Sequence, residues 1–171
     1  MKNIKQEELP VPSWVSVDQE SPLWNDHLED SCQTLTEASQ VFLQEFPLYR
    51  GKIEVSVLLT DDLHIQALNR EYREKDQPTN VLSFPLEDLQ KGTFLPKVPH
   101  ILLGDMVFAF ETILKESKAE EISFQDHLFH LCIHSFLHLL GFDHEADEDA
   151  EEMEALEIKM LKSVGIEMRK Y

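Results

Sequence analysis

Hydrophobic and polar residues follow two different periods along this chain, and the changes of period predict a mixed succession of strands and helices. Branched apolar residues alternate with polar ones over 52–59, a spacing of two that is typical of a half-buried strand. Thr60, Asp61 and Asp62 follow, and they can cap a helix that runs to about Tyr72. The remaining predictions are strands at 79–86 and 101–107 and helices at 28–46, 109–117, 122–140 and 147–163. The pattern predicts the α+β class, with a small mixed β-sheet packed with helices.

Two stretches show no clear period. The N-terminal segment 1–26 is interrupted by three prolines and is poorly specified, although an edge strand near 11–17 fits its sequence. Residues 88–100 contain one glycine and two prolines and are predicted to form a loop. A length of 171 residues suits one domain with a substantial core, so we assign 1–171 to a single domain.

The segment 122–140 is predicted to be a buried helix with one polar seam. Plotted at about 100° per residue, its apolar residues occupy nearly every direction. The exceptions, which fall within about 80° of one another, are His127, His130, His134 and His138. Four imidazoles along one face of a buried helix require polar partners or a metal.

The spacing of three histidines predicts a metal site. His134 and His138 are four residues apart, so on a helix their imidazoles lie about 6 Å apart and can reach one ion. A third ligand farther along the same helix would lie too far away, and Gly141 can adopt the left-handed conformation that ends a helix. His144 then returns to the same ion. Three protein ligands with one open position are typical of catalytic zinc, so we predict these three histidines as metal ligands.

The other two histidines of the seam are interpreted as supporting groups. His127 and His130 are expected to be hydrogen-bonded, or to hold the outer nitrogen of a metal ligand. His130 lies one turn from His134, so contact with the substrate is an alternative role for it.

Zinc peptidases share this spacing in the motif H-E-x-x-H-x-x-G-x-x-H, which makes a peptidase one alternative. In those enzymes the residue after the first histidine is a glutamate that acts as the general base. Ser135 stands at this position here, and a serine hydroxyl is too weak a base near neutral pH to replace a carboxylate. The sequence therefore disfavours a peptidase unless its base comes from outside the motif.

A second segment, 68–85, makes the sequence resemble a known family. It reads Leu-Asn-Arg-Glu-Tyr-Arg-Glu-Lys-Asp-Gln-Pro-Thr-Asn-Val-Leu-Ser-Phe-Pro. Together with Thr60-Asp-Asp62, Leu103-Gly-Asp105 and the histidine motif, it closely resembles the YbeY family of bacterial endoribonucleases, also called rRNA maturation factors. The resemblance covers most of the chain, from about residue 55 to 165.

The resemblance implies a metal-dependent, single-strand-specific endoribonuclease that acts in rRNA processing, especially on small-subunit rRNA, and in ribosome quality control. It also carries two functional residues onto Arg73 and His134, which we predict to be catalytic. Arginine suits bidentate binding of phosphate; the alternative is a surface arginine paired with Glu74 or Asp76. Ser135 and Glu74 stand where the family usually has glycine. Neither change removes a ligand, but Glu74 places a negative charge beside the arginine.

The cofactor expected for the three-histidine set is one Zn²⁺ per chain, with another divalent metal left open. Such a zinc ion can lower the pKa of its water and polarise a phosphoryl oxygen without a neighbouring glutamate. The expected partners are single-stranded RNA, including rRNA, and the small ribosomal subunit or its associated proteins. A ribosome assembly factor with a structural metal and no catalysis remains the second alternative.

The composition predicts a cytoplasmic protein. Cys32 and Cys132 form no C-x-x-C pair, which suggests reduced thiols, and Cys132 is expected to point away from the histidine seam into the protein core. The first residues are too polar for a secretory leader, and no stretch is apolar enough to cross a bilayer. We therefore expect no membrane contact.

The formal net charge of −18 is the main objection to an RNA ligand, because RNA-binding proteins usually carry a basic surface. Half of the excess lies in 143–157, which holds nine acidic residues and neither lysine nor arginine. In the helix predicted there, the acids face water, and the residues predicted to face the core are Met153, Leu156, Met160 and Val164. Weak intrinsic RNA affinity would follow, with recruitment by a protein partner or the ribosome.

Overall fold

The computed structural model describes residues 10–91 and 100–168, and it has the predicted α+β architecture. The strands are β1 (Val15–Gln19), β2 (Ile53–Thr60), β3 (Val81–Pro85) and β4 (Ile101–Ala109). The helices are α1 (Leu28–Glu45), α2 (Asp62–Arg73), α3 (Phe110–Ala119), α4 (Phe124–Leu139) and α5 (Asp147–Lys162). Two short 3₁₀ helices lie at Pro22–His27 and Pro47–Tyr49.

The four strands form one mixed sheet in the order β1-β2-β4-β3. β1, β2 and β4 are parallel, whereas β3 runs antiparallel to β4. The predicted edge strand exists as β1, but it begins at Val15, because the Val15 N–H first donates to the Pro12 carbonyl in a turn (2.9 Å). β3 is the opposite edge, and it borders the metal-site helix α4.

The sheet separates two apolar layers of unequal size. The larger lies between the sheet and the helices α1 and α4, where the rings of Phe42 and Phe136 stack with centroids 4.3 Å apart. The smaller lies on the other face, where Ile65 of α2 packs against Leu82 and Val107. The prediction that the metal-site helix is buried is confirmed, since α4 has apolar contacts on nearly every side.

The N-terminal segment makes more extensive contacts with the rest of the fold than its sequence suggested. Trp24, in the first 3₁₀ helix, is fully buried, and its indole N–H donates to the Thr60 carbonyl at the end of β2 (2.8 Å). The description of residues up to 26 as poorly specified is therefore wrong for the part from Val15 onward. Residues 1–9, and 92–99 of the predicted loop, lie outside the described residues.

The acidic helix α5 agrees with most of its prediction. Its first turn carries three acids, where the helix dipole favours negative charge, and Lys91 pairs with Asp149 (2.7 Å) and Glu152 (3.0 Å). Met153 and Met160 are buried as predicted. Val164 is not, because the helix ends at Lys162 and leaves Val164 in a turn, 42% exposed.

No helix among the described residues is long and apolar enough to cross a membrane.

Candidate metal centre

Three histidines converge where α4 ends. His134 and His138 come from its last two turns and His144 from the segment that follows, and their ligand atoms all lie within 4.8 Å of one another. The Nε2 atoms of His134 and His138 are 3.0 Å apart. Nitrogens around a tetrahedral zinc ion lie about 3.3 Å from one another. The His134–His138 pair is already near this spacing, and the ligand atom of His144 is close enough to reach the same ion after a small movement.

The surroundings of His138 favour the neutral form of its imidazole. Burial, together with the neighbouring charges of His134 and His144, lowers the pKa of His138 to about 4. Near neutral pH its ring therefore holds a free lone pair, which is the form that binds a metal.

Gly141 allows the chain to turn back after the end of α4, toward the position of His144. Its φ is +91°, and a Cβ at this position would lie 1.7 Å from the Leu89 carbonyl oxygen. The close approach of the Leu89 backbone excludes any side chain at this position, and the positive φ would strain one. The prediction that Gly141 ends the helix in a left-handed conformation is confirmed.

The three histidines open onto a cavity of about 580 Å³. Its opposite wall comes from the end of α2, the segment after it and the edge strand β3. The residues that line this cavity besides the histidines are Asn69, Arg73, Lys75, Gln77, Thr79, Asn80, Val81, Leu82, Ser83, Pro85, Asp143 and Glu145. The two segments that the sequence singled out, 68–85 and 134–144, therefore face each other across one space.

Arg73 lies in the wall of this cavity. Its guanidinium donates one hydrogen bond to the Ser83 carbonyl (2.9 Å) and lies over the Phe84 ring, 5.7 Å from the centroid. Asp76 pairs instead with Arg70, at 3.7 Å. The alternative that Arg73 is a surface arginine paired with an acidic neighbour finds no support in the described residues. Arginine has five N–H donors, and the described residues accept from one of them, so four remain for a ligand.

Ser135 occupies the position that carries the general base in zinc peptidases. It is fully buried, and its hydroxyl is hydrogen-bonded to the Ser83 hydroxyl of β3 (2.7 Å). This side chain therefore joins α4 to the edge strand and does not line the cavity. The geometry adds to the chemical argument against a peptidase.

Glu157 is a residue of the site that the sequence analysis missed. We assigned every acid of α5 to the solvated face, but Glu157 is only 5% exposed. Its Oε1 accepts a hydrogen bond from His134 Nδ1, and its Oε2 lies 3.3 Å from His130 Nε2. The spacing in the sequence could have identified it. Glu157 follows Met153 by four residues, so it falls on the apolar face of the helix.

The prediction of hydrogen-bonded roles for the two remaining seam histidines is confirmed. His130 contacts Glu157, and the buried His127 contacts the Glu116 carboxylate through Nε2 (2.6 Å). Glu116 also accepts from the Asn80 amide, at 2.9 Å. Burial alone would raise the pKa of Glu116, but the hydrogen bonds from His127 and Asn80 outweigh it and lower the pKa.

The fold and the site together define a class: an α+β protein with three helix-end histidines facing an arginine across an open cavity. A profile of the family described as endoribonuclease YbeY matches residues 18–165. The chain belongs to this family.

Relatives of this family are similar over most of the chain. The endoribonuclease YbeY of Paramagnetospirillum magneticum is 42% identical over 159 residues, which cover 93% of this chain and 96% of that protein. That of Rhizobium etli is 45% identical over 138 residues, covering 79% of this chain and 78% of the relative.

A solved structure supports the fold. The solution structure of a Thermotoga maritima protein matches with a TM-score of 0.54 at 21% identity, covering 88% of this chain and 91% of that one. At this identity the likeness concerns the fold alone.

Proposed function

We propose that this protein is a metal-dependent endoribonuclease that cleaves single-stranded RNA, with His134, His138 and His144 holding one zinc ion and Arg73 binding the phosphate. Membership in the YbeY family supports the coarser part, a phosphodiester hydrolase that acts in rRNA processing. Neither the peptidase nor the assembly factor with a structural metal is favoured by these relatives.

The observation that carries the proposal is the shared cavity. Three imidazoles lie on one wall and the Arg73 guanidinium on the other, with space between them for a ligand. Cleavage of a phosphodiester builds up negative charge on the non-bridging oxygens, and preorganised cationic donors stabilise that charge. An arginine with four free N–H donors, fixed by a backbone carbonyl and an aromatic ring, suits that task.

The metal would add what the side chains lack. When bound, it would polarise a phosphoryl oxygen and lower the pKa of a water molecule. Arg73 would orient the phosphate in the cavity, with Lys75 of the same wall as a second cation. His134 has the role of a ligand here, so its catalytic contribution would act through the metal.

The charge distribution fits a weakly binding enzyme. Asp143 and Glu145 line the histidine side of the cavity and repel phosphate, whereas Arg73 and Lys75 line the opposite side. An RNA strand would therefore lie along the α2–β3 wall. We propose that recruitment by the small ribosomal subunit or an associated protein compensates for the net charge of −18.

The decisive experiment is cleavage of a single-stranded RNA by protein stripped of metal with a chelator, with and without added zinc. We expect cleavage only in the zinc-supplemented sample, and loss of both tightly held metal and activity in His138→Ala. A matched control is His100→Ala, whose exposed side chain pairs with Glu54, outside the cavity. Zinc-independent cleavage, or one retained equivalent of metal in the triple His134, His138 and His144 alanine variant, would refute the proposed site.

The alternatives predict different results in the same preparation. Zinc binding with no cleavage of any RNA would favour the assembly factor with a structural metal. Zinc-dependent hydrolysis of casein that is abolished in His134→Ala would favour a peptidase.

A further inference from the structure

Glu157 is a buried carboxylate in a helix whose other acids are solvent-exposed or partly so. Among the acids of α5, all of which the structure describes, only this one is nearly inaccessible. A buried charge is costly unless it is paired and hydrogen-bonded, and Met153, Met160 and Leu161 already hold the apolar face of α5 against the core. Packing alone therefore gives no reason for a carboxylate at this position.

Both oxygens of Glu157 are occupied by imidazoles of α4. Oε1 contacts Nδ1 of His134, and Oε2 lies 3.3 Å from Nε2 of His130. A carboxyl group is ordinarily ionised near neutral pH, and imidazole partners on both oxygens stabilise its charge in this buried position. An ionised carboxylate can only accept hydrogen bonds, so the proton of this contact belongs to His134 Nδ1.

The proton on Nδ1 determines the state of the second ring nitrogen, Nε2. A neutral imidazole with a proton on Nδ1 has its lone pair on Nε2. Nε2 is the His134 atom that faces the site, 3.0 Å from Nε2 of His138.

We propose that Glu157 is a positioning residue of the metal centre: by accepting from His134 Nδ1, it holds the tautomer and ring orientation in which Nε2 faces His138 and His144. The inference rests on the proposed metal site. Through Glu157, α5 becomes part of the site although it contributes no ligand. A carboxylate behind a ligating histidine also increases the basicity of the ligand.

Three variants separate this role from a purely structural one. Glu157→Met keeps an unbranched side chain of similar size but removes the acceptor, whereas Glu157→Gln keeps an acceptor oxygen and loses the charge. Glu151→Met is the matched control, because it removes an exposed carboxylate of the same helix that lines neither of the cavities that the three histidines border.

The first measurement is the tautomer of His134 in the metal-free protein, read from the ¹⁵N chemical shifts of its ring by NMR. We expect the Nδ1–H form in the wild type, in Glu157→Gln and in Glu151→Met, and a mixture with the Nε2–H form in Glu157→Met. An Nε2–H form in the wild type, or an unchanged tautomer in Glu157→Met, would overturn the inference.

The second measurement is zinc affinity, determined by competition with a chromophoric chelator. Glu157→Met should bind zinc about 10–100-fold more weakly than the wild type, with part of the affinity restored in Glu157→Gln and no change in Glu151→Met. A purely structural Glu157 predicts unchanged affinity, since replacing a buried charge with a well-packed apolar residue is often neutral for the fold. If the wild type binds no zinc, the metal site fails, while the tautomer result still decides the role of Glu157.

Discussion

The guanidinium of Arg73 is held in place by one hydrogen bond to the Ser83 carbonyl and by the Phe84 ring. Removing the guanidinium should leave the fold and the metal intact, because Arg73 contributes one hydrogen bond at the surface end of α2. We expect Arg73→Ala to lower the rate of RNA cleavage by roughly two to four powers of ten, the scale of losing one preorganised electrostatic contact. Arg73→Lys should recover only part of the rate, because a point charge cannot form two parallel hydrogen bonds.

Single-turnover cleavage of a labelled single-stranded RNA measures this effect. The matched control is Arg70→Ala, on the same helix but paired with Asp76 and outside the cavity wall. Equal rates for the wild type and a folded, metal-loaded Arg73→Ala would contradict the assignment.

Glu74 stands in a backbone conformation that suits glycine. It is the C-cap of α2 with φ of +59°, in the left-handed region. Residues with a side chain are strained there by about 1–2 kcal/mol. Glu74→Gly should therefore raise the free energy of unfolding by about 1 kcal/mol, after allowance for the greater flexibility of glycine in the unfolded chain.

Chemical denaturation of the two proteins checks this prediction. Glu71→Gly provides the contrast, because the same replacement inside the helix should destabilise by about 1 kcal/mol. A loss of stability in Glu74→Gly would mean that the Glu74 side chain makes a compensating interaction.

At the scale of elements, the helix α4 and the strand β3 are joined through two hydroxyls. Ser135 and Ser83 form a buried hydrogen bond (2.7 Å), and the Ser83 carbonyl holds Arg73. Ser135→Ala leaves the Ser83 hydroxyl without this partner and should cost about 1 kcal/mol of stability. Ser135→Gly should cost about 1 kcal/mol more, because glycine is unfavourable inside a helix.

Equilibrium unfolding of Ser135→Ala, Ser83→Ala and the double variant tests the pair directly. The double variant should lose less stability than the sum of the single ones, because each single change already breaks the shared bond. Strict additivity would show that the two hydroxyls act independently.

The sequence identified most elements because their signals are local. Asp61 caps α2 with its carboxylate on the His64 N–H (2.9 Å), as the acidic pair indicated, and α4 and α5 agree with their predictions within two residues at each end. The order of the strands is a different matter. β4 lies between β2 and β3 through pairings that bring together residues far apart in the chain, and no local pattern encodes them.

The candidate site likewise has one part that local sequence predicts and another that depends on tertiary contacts. The H-x3-H-x5-H spacing and Gly141 lie within one short segment, so simple helix geometry predicted their convergence. Glu157 reaches His134 only because α5 packs back on α4, a tertiary contact between residues 23 positions apart. In a helix rich in acidic residues, the sequence does not show which acid is buried. That depends on which face of the helix packs against the rest of the protein.

At the scale of the whole molecule, the metal centre is peripheral to the core. The main apolar cluster lies between the sheet, α1 and α4, whereas His134 and His138 are only partly buried and His144 is exposed. We therefore expect protein stripped of zinc to keep its far-UV circular dichroism spectrum and a cooperative thermal transition. Its melting temperature should fall, because a ligand that binds only the folded state stabilises that state by RT ln(1 + [L]/Kd).

Calorimetry with and without a chelator, at several zinc concentrations, measures this shift. His138→Ala should melt at the temperature of the stripped protein and should not respond to zinc. Collapse of the stripped wild type to an unfolded spectrum would instead identify the metal as a condition for folding.

The three proposed ligands occupy only residues 134–144, and α4 already holds the first two one turn apart. To complete the site, the chain has only to bring residue 144 back to residue 138. The entropy cost of closing a loop grows slowly with length, by about 0.6 kcal/mol per doubling, and it is small for so short a segment. Metal uptake and release can then occur at one end of α4 while the pairing of the strands stays unchanged. The fraction of protein molecules that hold a metal ion would then depend on the free metal concentration, as in any reversible binding equilibrium.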